Sequence, residues 1–345
     1  MSDRNVRTLV VDDSAFARKV LRESLSRIPG IEVVGIARDG LEALEKITEL
    51  SPDVVTLDLV MPNLDGMGVL RALDGAERPR VVVVSTSDAE SELGLEALEI
   101  GAVEVIHKPT ATANDRLYEL SGELANAVLS AAHARPRPRG ANSKPVLEPS
   151  VVAPGAHRTA IVVVGTSTGG PQALTRLLAS LPKDFPVPIA MVLHIPVGYT
   201  EALARRLESV SALDVREASE GLELRPGLAV LAKAGIHLEL GKGGRFGIAH
   251  LNPEPANVPH RPSVDVLFES AAAQYGKAAL GIVLTGMGDD GLAGARKIRA
   301  AGGRLLTEAE SSCVVYGMPR CIQEANLAEA EVPLEEMAGL LVRSL

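Results

Sequence analysis

Tryptophan is absent from the 345-residue sequence, and all aromatics together make up only 2% of it. Cores built without large rings must come from Val, Leu, Ile and Ala, a bias that suits parallel sheets covered by helices on both faces. Cysteine is nearly absent too. Cys313 and Cys321 have no CxxC or His-rich spacing around them, which argues against a disulfide framework or a metal site; two inert thiols in a reducing, cytoplasmic compartment are expected. No stretch approaches the roughly 18 apolar residues that span a bilayer. The opening MSDRNVRTLVVDD also lacks the apolar core of a secretory signal, so no membrane insertion is expected. Positive charge is in deficit: 35 Lys and Arg stand against 44 Asp and Glu, a net charge of −9. The basic face of a nucleic-acid-binding effector is therefore not expected. What remains, 46% hydrophobic and 23% charged residues, is the composition of a globular chain long enough for two domains.

A Pro-rich segment divides the chain. Residues 133–158, HARPRPRGANSKPVLEPSVVAPGAHR, hold Pro136, Pro138, Pro145, Pro149 and Pro154 and no apolar periodicity, as in an extended, semi-rigid spacer. The expected organisation is a domain over 1–130, a linker over 131–158 and a second domain over 159–345. In the first, RTLVV, IEVVGIA, DVVTL, RVVVV and VEVI read as buried strands alternating with helical stretches such as LEALEKITEL, where Leu41, Leu44, Ile47 and Leu50 share a face. That alternation predicts a doubly wound parallel sheet. The second half repeats it with AIVVVG, PIAMVLH and AALGIVLTG. Between the last two, LAVLAKAGIHLELGKGGRFGIAH reads as short strands with a hairpin turn at Gly241–Gly244.

Functional groups of open α/β sheets gather at the carboxyl ends of the strands. In the first half Asp12 and Asp13 follow RTLVV, Asp58 ends DVVTL, Ser85 and Thr86 follow RVVVV, and Lys108 follows VEVI. Three carboxylates converging on one edge repel one another unless a divalent cation intervenes, and hard oxygen ligands suit Mg²⁺. Lys108 would then supply positive charge for a phosphoryl group on Asp58. A lone strand-terminal Asp is more often a helix N-cap; here the whole set recurs in order.

In the second half AIVVV runs into GTSTGGPQAL, and Gly165-Thr166-Ser167-Thr168-Gly169 has the G-x-S-x-G form that exposes a serine at a helix start. The competing reading, a phosphate-cradling Gly-rich turn, needs Gly where Ser167 stands or a following Gly-Lys-Ser/Thr, and has neither. A nucleophilic serine needs a base and a group to orient it. Among His157, His194, His237, His250 and His260, only His194 directly follows an apolar strand, IAMVL. His157 falls in the linker, and His250 and His260 flank the Pro-rich LNPEPANVPH, so a surface position is expected for them. GIVLTGMGDDG supplies Asp289 and Asp290 at a third strand end, although aspartates there could simply cap the helix that follows. The order Ser, His, Asp differs from that of α/β-hydrolases.

These motifs carry two resemblances. VVDDS, DLVMPNLDG, VVVVST and HKP resemble the receiver domain of response regulators over residues 5–130. GTSTGGPQAL, LHIPVGYT, PSVDVLFESAA, LTGMGDDGLAGA and SSCVVYGMPR resemble the catalytic domain of CheB-type protein-glutamate methylesterases over nearly all of 159–345. The first implies a flavodoxin-like fold, Asp58 as phosphoacceptor, Mg²⁺ held by Asp13 and Asp58 with Asp12 nearby, a phosphoryl contact from Ser85 or Thr86 with Lys108, and a cis peptide at Lys108–Pro109. The second implies Ser167 as nucleophile, His194 as base and Asp290 as its orienting acid, chosen over Asp289 because the family usually has Asn first. It also implies the Met287 N–H as an oxyanion donor, and no metal for ester hydrolysis. Together they imply demethylation of glutamate methyl esters, and deamidation of glutamines, on methyl-accepting chemotaxis receptors. A chemotaxis histidine kinase would be the phosphodonor, and the receiver a lid over the esterase cleft. Departures from the family are Val60 after Asp58-Leu59, Val197 in place of a proline, and Lys233-Ala234 in place of Pro-Gly. An esterase for another substrate and a non-catalytic signalling adaptor are the alternative readings.

Overall fold

The computed structural model describes residues 4–73, 79–85, 91–108, 116–135 and 159–345. Thr86, the Lys108–Pro109 bond, His157 and most of the Pro-rich linker lie outside the described residues. The chain divides into two compact units, Met1–Arg139 and Gly140–Leu345.

The first unit is a five-stranded parallel sheet of β1 (Val6–Val11), β2 (Ile31–Ala37), β3 (Val54–Leu57), β4 (Arg80–Ser85) and β5 (Glu104–His107), in the order β2-β1-β3-β4-β5. This is the flavodoxin-like doubly wound order, whose strand reversal beside β1 and β3 opens a crevice at the carboxyl edge. Each strand leads into a helix: α1 (Ala15–Ser26), α2 (Gly40–Leu50), α3 (Gly66–Ala72), α4 (Ser91–Ile100) and α5 (Arg116–His133). The first three start where Ser14, Asp39 and Asp65 accept from backbone N–H groups one turn on, and so supply bonds the helix itself cannot. In α2 the apolar face differs from the pattern. Leu41 is exposed while Gly40 and Ala43 are buried. A Cβ on Gly40 would lie 2.4 Å from the Leu64 carbonyl oxygen, so the helix start is pressed against the loop before α3 and Leu41 is turned outward.

The second unit is a seven-stranded parallel sheet ordered β14-β13-β12-β6-β7-β9-β8. Its strands are β6 (Ile161–Thr166), β7 (Ile189–Leu193), β8 (Asp214–Glu217), β9 (Leu228–Leu231), β12 (Ala279–Val283), β13 (Arg304–Glu308) and β14 (Ala330–Val332). A separate antiparallel hairpin joins β10 (His237–Gly241) to β11 (Ile248–Asn252), with Gly241 opposite Ile248. LAVL, read from sequence with the hairpin, instead pairs in parallel with β7 and β8 as β9 of the main sheet. Its four residues are all buried, the mark of a strand covered on both faces.

Helices α6 (Gly170–Ala179), α7 (Thr200–Val210), α8 (Val264–Tyr275), α9 (Leu292–Ala300), α10 (Met318–Glu324) and α11 (Leu334–Ser344) complete the second unit. Of these, α8 packs against β6, β12, the hairpin strand β10 and α9. Its Phe268 is fully buried in a core of aliphatic residues and Met318, with Phe246 and Tyr275 partly buried against it. The large buried rings, Tyr199, Phe185 and Phe268, all belong to this unit. Phe268→Ala should therefore cost about 3–5 kcal/mol of its stability. A urea titration following this unit would show a lowered midpoint; an unchanged one would contradict the packing.

Candidate active sites at two strand edges

At the carboxyl edge of the first sheet Asp12 and Asp58 are buried and Asp13 is exposed. One oxygen from each lies within 4.8 Å of the others. Lys108, buried at the end of β5, places Nζ 2.5 Å from Asp58 Oδ2 and 3.0 Å from Asp12 Oδ2. The latter contact is an ion pair without hydrogen-bond alignment. The remaining oxygens meet the chain: Ser14 N–H donates to Asp12 Oδ1 and Val60 N–H to Asp58 Oδ1. Burial pushes the Asp58 carboxyl up to about 6, against the hydrogen bond and charge of Lys108, with Asp12 adding to the rise. Burial alone would lower Lys108, but its pairing with Asp58 and Asp12 outweighs that and raises it. Three carboxylates facing one ammonium leave negative charge uncompensated, and the all-oxygen donor set fits a hard divalent cation. Ser85 is buried at the end of β4, and its carbonyl accepts from Lys108 N–H at 2.6 Å. Val60, beside Asp58, is exposed.

The second site starts from strand register. Thr166 pairs with Leu193 across β6 and β7, so Ser167 and His194 are the next residues on adjacent strands, about 5 Å apart in the pairing direction. The turn carrying Ser167 ends at Gly169, whose φ of +79° and position 2.6 Å from Val314 Cβ (measured to an added Cβ) leave room for no side chain. It is tied from the neighbouring strand by Thr285. The Thr285 carbonyl accepts from Ser167 N–H at 3.1 Å and from Thr166 Oγ1 at 2.7 Å, while its hydroxyl donates to the Thr168 carbonyl. Thr285 N–H donates in turn to the buried Glu308 carboxylate at 2.8 Å. At Gly286 an added Cβ would lie 2.9 Å from Ser167 Cβ, so only glycine lets the Gly286–Gly288 turn approach the serine. Met287 N–H has no hydrogen-bond partner among the described residues, and neither does Ser167 Oγ.

His194 Nε2 lies 2.8 Å from Asp290 Oδ2. The same carboxylate accepts from Val264 N–H on Oδ2, and from Ser263 Oγ and Asp265 N–H on Oδ1. Burial would raise the Asp290 carboxyl, but the hydrogen bond and charge of His194 and the two backbone N–H groups outweigh it and hold it at about 2. An ionised carboxylate only accepts, so Nε2 carries the proton. Nδ1, buried without a hydrogen-bond partner, keeps its lone pair. This reverses the serine-protease arrangement, where Nε2 faces the serine. Asp289 is exposed, and the carboxylate bonded to His194 is that of Asp290.

The aspartates do not cap the helix they precede. Helix α9 begins at Gly291 with no side-chain cap of its own, and Asp265 of α8 accepts from Gly291 and Gly294 N–H. Asp290, reciprocally, caps α8. The PSVDV motif held this information: a serine before an apolar helix and an acid in its first turn are N-terminal signals. The histidines divide differently from expectation. His237 is fully buried, with Nδ1 accepting from Ser263 N–H and Nε2 facing the Pro255 carbonyl; both nitrogens are engaged, and it offers no base. His250 is exposed beside Glu220. His260, expected at the surface, stacks on His194 with ring centroids 3.9 Å apart and planes 13° from parallel. His260 thus reaches the site from a Pro-rich segment whose residues 253–257 are exposed. Val197 and the Lys233-Ala234 turn adjoin, with Val197 Cγ2 3.2 Å from a Cβ added at Gly235.

A flavodoxin-like receiver unit with its acid-and-lysine pocket, followed by a parallel α/β unit with a serine turn beside a His–Asp pair, defines a response regulator with a hydrolase-type output domain. Sequence comparison names the family: residues 8–119 match the response regulator receiver domain and 162–341 the CheB methylesterase domain, and the chain belongs to the CheB methylesterase family. It is 62% identical, over 98% of its length and 97% of the relative's, to protein-glutamate methylesterase/protein-glutamine glutaminase 5 of Myxococcus xanthus (strain DK1622). It is 39% identical, over 99% of both chains, to the like-named protein of Thermotoga maritima (strain ATCC 43589 / DSM 3109 / JCM 10099 / NBRC 100826 / MSB8). The crystal structure of the Thermotoga maritima CheB methylesterase catalytic domain superposes with a TM-score of 0.53 at 38% identity, covering 54% of this chain and 99% of that one.

Because Asp290 titrates near 2 in the fold against an ordinary 3.8, its ionised form favours the folded state. That contribution is complete above about pH 4 and is lost as pH falls through about 2, a change of about 2 kcal/mol. Asp290→Asn cannot titrate, so the stability gap between wild type and variant should narrow by that amount between pH 4 and 2. Urea midpoints measured across this range would show a constant gap if the carboxylate were not so held.

Proposed function

We propose that the chain is a phosphorylation-controlled protein-glutamate methylesterase. It would hydrolyse glutamate methyl esters on methyl-accepting chemotaxis receptors, releasing methanol, and deamidate glutamines through the same kind of tetrahedral intermediate. The observation that carries this reading is the His194–Asp290 pair set in strand register with Ser167, in a chain so closely related to proteins named for that activity.

In this reading Ser167 Oγ attacks the ester carbonyl and gives its proton to His194 Nδ1, the nitrogen left free by the Asp290 bond. Asp290 holds the ring in this tautomer and balances the imidazolium that forms. The Met287 N–H, without a partner of its own, is available to the oxyanion; such a donor is worth about 3–4 kcal/mol. The proton on Nδ1 passes to the departing methoxide, and methanol leaves. Water then enters, gives a proton to Nδ1 and attacks the acyl carbon; as the acyl–Oγ bond breaks, Nδ1 returns that proton to Ser167 Oγ, leaving glutamate and free serine.

In the receiver unit, Asp12, Asp13 and Asp58 would hold Mg²⁺, which supplies charge neutralisation for phosphoryl transfer. Asp58 would accept the phosphoryl group from a chemotaxis histidine kinase, and Lys108 would move from Asp58 Oδ2 to the new phosphoryl oxygens. Ser85 stands one strand over and could contact the same group. No helix among the described residues is long and apolar enough to cross a membrane.

Ser167→Ala should lower methanol release from a methylated receptor fragment by about 10⁶-fold, with His194→Ala nearly as severe; wild-type release by Ser167→Ala would end the esterase reading. Asp58→Ala should take up no phosphate from a small phosphodonor in Mg²⁺, where the wild-type chain does. Equal labelling of the two would move the acceptor elsewhere.

A further inference from the structure

The imidazole of His260 lies flat against that of His194, 3.9 Å between centroids and 13° from parallel, yet the hydrolytic scheme gives it no part. Its place is set by the main chain on either side, and not by His194. The Arg261 carbonyl accepts from Gly235 N–H at 2.9 Å, and Ser263 N–H donates to the buried Nδ1 of His237 at 3.1 Å. Upstream, the Pro255 carbonyl meets Nε2 of the same His237. The loop is thus pinned to the hairpin strand β10 and the turn before it, and presents the ring face to the base.

A histidine that must hand over a proton at Nδ1 while keeping Nε2 on Asp290 can fail by rotating about its ring bond. The Asp290 bond resists displacement at one nitrogen but leaves the tilt of the plane free. A parallel ring on one face removes that freedom and excludes water from the face it covers. We propose that His260 is a positioning residue of the hydrolytic site, whose flat ring fixes the plane of His194 so that Nδ1 stays turned to the serine side. The inference rests on the esterase reading of Ser167 and His194.

The charge state of His260 agrees with this task. Burial pushes its pKa down to about 4, with the charge of His194 adding and Asp290 and Asp289 opposing. At neutral pH it therefore sets no second positive charge against the imidazolium that His194 becomes.

The test uses the full chain with two readouts: the rate at which a fluorophosphonate labels Ser167, and kcat and KM for methanol release from a methylated receptor fragment. In His260→Ala, labelling and kcat should fall about ten- to a hundredfold, the usual consequence of a loosened catalytic group, with KM within about twofold. His260→Phe, which keeps a flat ring but cannot titrate or hydrogen-bond, should restore both to within about threefold of wild type. Wild-type rates in His260→Ala would overturn the proposal, as would a His260→Phe no faster than His260→Ala. If His260→Ala melts early, the comparison passes to His260→Phe against His260→Leu, which both fill the space; equal rates in that pair would overturn it too. A wild-type chain that is not labelled at all would instead refute the esterase reading.

Discussion

Helices α8 and α9 each begin with backbone N–H groups that no residue of their own helix satisfies, and each borrows its cap from the other. Asp290, two residues before α9, accepts from Val264 and Asp265 of α8; Asp265 accepts from Gly291, the residue before α9, and from Gly294 within it. A buried donor left unpaired costs about 1–3 kcal/mol, so neither helix can shift without stranding groups on its neighbour. The exchange also decides where Oδ2 of Asp290 points, and therefore where the imidazole of His194 sits. The carboxylate bonded to His194 is a structural member first, and its position follows from helix packing.

The two strand edges solve opposite electrostatic problems with similar parts. In the first unit acids gather with one lysine among them, and burial drives Asp58 upward; the pocket is short of positive charge. In the second, every oxygen of Asp290 is met by N–H or O–H donors and the carboxyl is held down at about 2. An edge short of positive charge suits capture of a cation and a phosphoryl group. A saturated carboxylate suits holding one proton on one nitrogen of a histidine.

Strands and strand ends were readable because apolar runs such as VVVV and IVVVG admit little else, and because the candidate functional groups follow strands directly. Ser167, His194, Asp12, Asp58 and Lys108 all stand within two residues of such a run. What escaped was carried by contacts between distant segments. LAVL belongs to the main sheet through its pairing with β7 and β8, which local pattern does not express. His260 lies in a polar, Pro-rich stretch whose composition predicts surface, and only the anchoring of Arg261 and Ser263 brings it inward. Glu308 reads as an ordinary strand-terminal acid; its bond to Thr285 N–H, and so its hold on the serine turn, depends on two neighbouring strands. The mutual capping by Asp265 and Asp290 spans 25 residues and leaves only a faint local trace in PSVDV.

The scarcity of aromatic rings has an optical consequence. With no tryptophan, ultraviolet emission comes from four tyrosines, and Tyr199, Tyr275 and Tyr316 all fall in the second unit, leaving Tyr118 alone in the first. Two of the three are bonded through their hydroxyls, Tyr275 to the Phe246 carbonyl and Tyr316 to Glu331, contacts that unfolding would break. Intrinsic fluorescence therefore draws three of its four tyrosine emitters from the esterase unit. A single tryptophan placed in the receiver would shine against an empty background, giving each half of the chain its own colour without any attached dye.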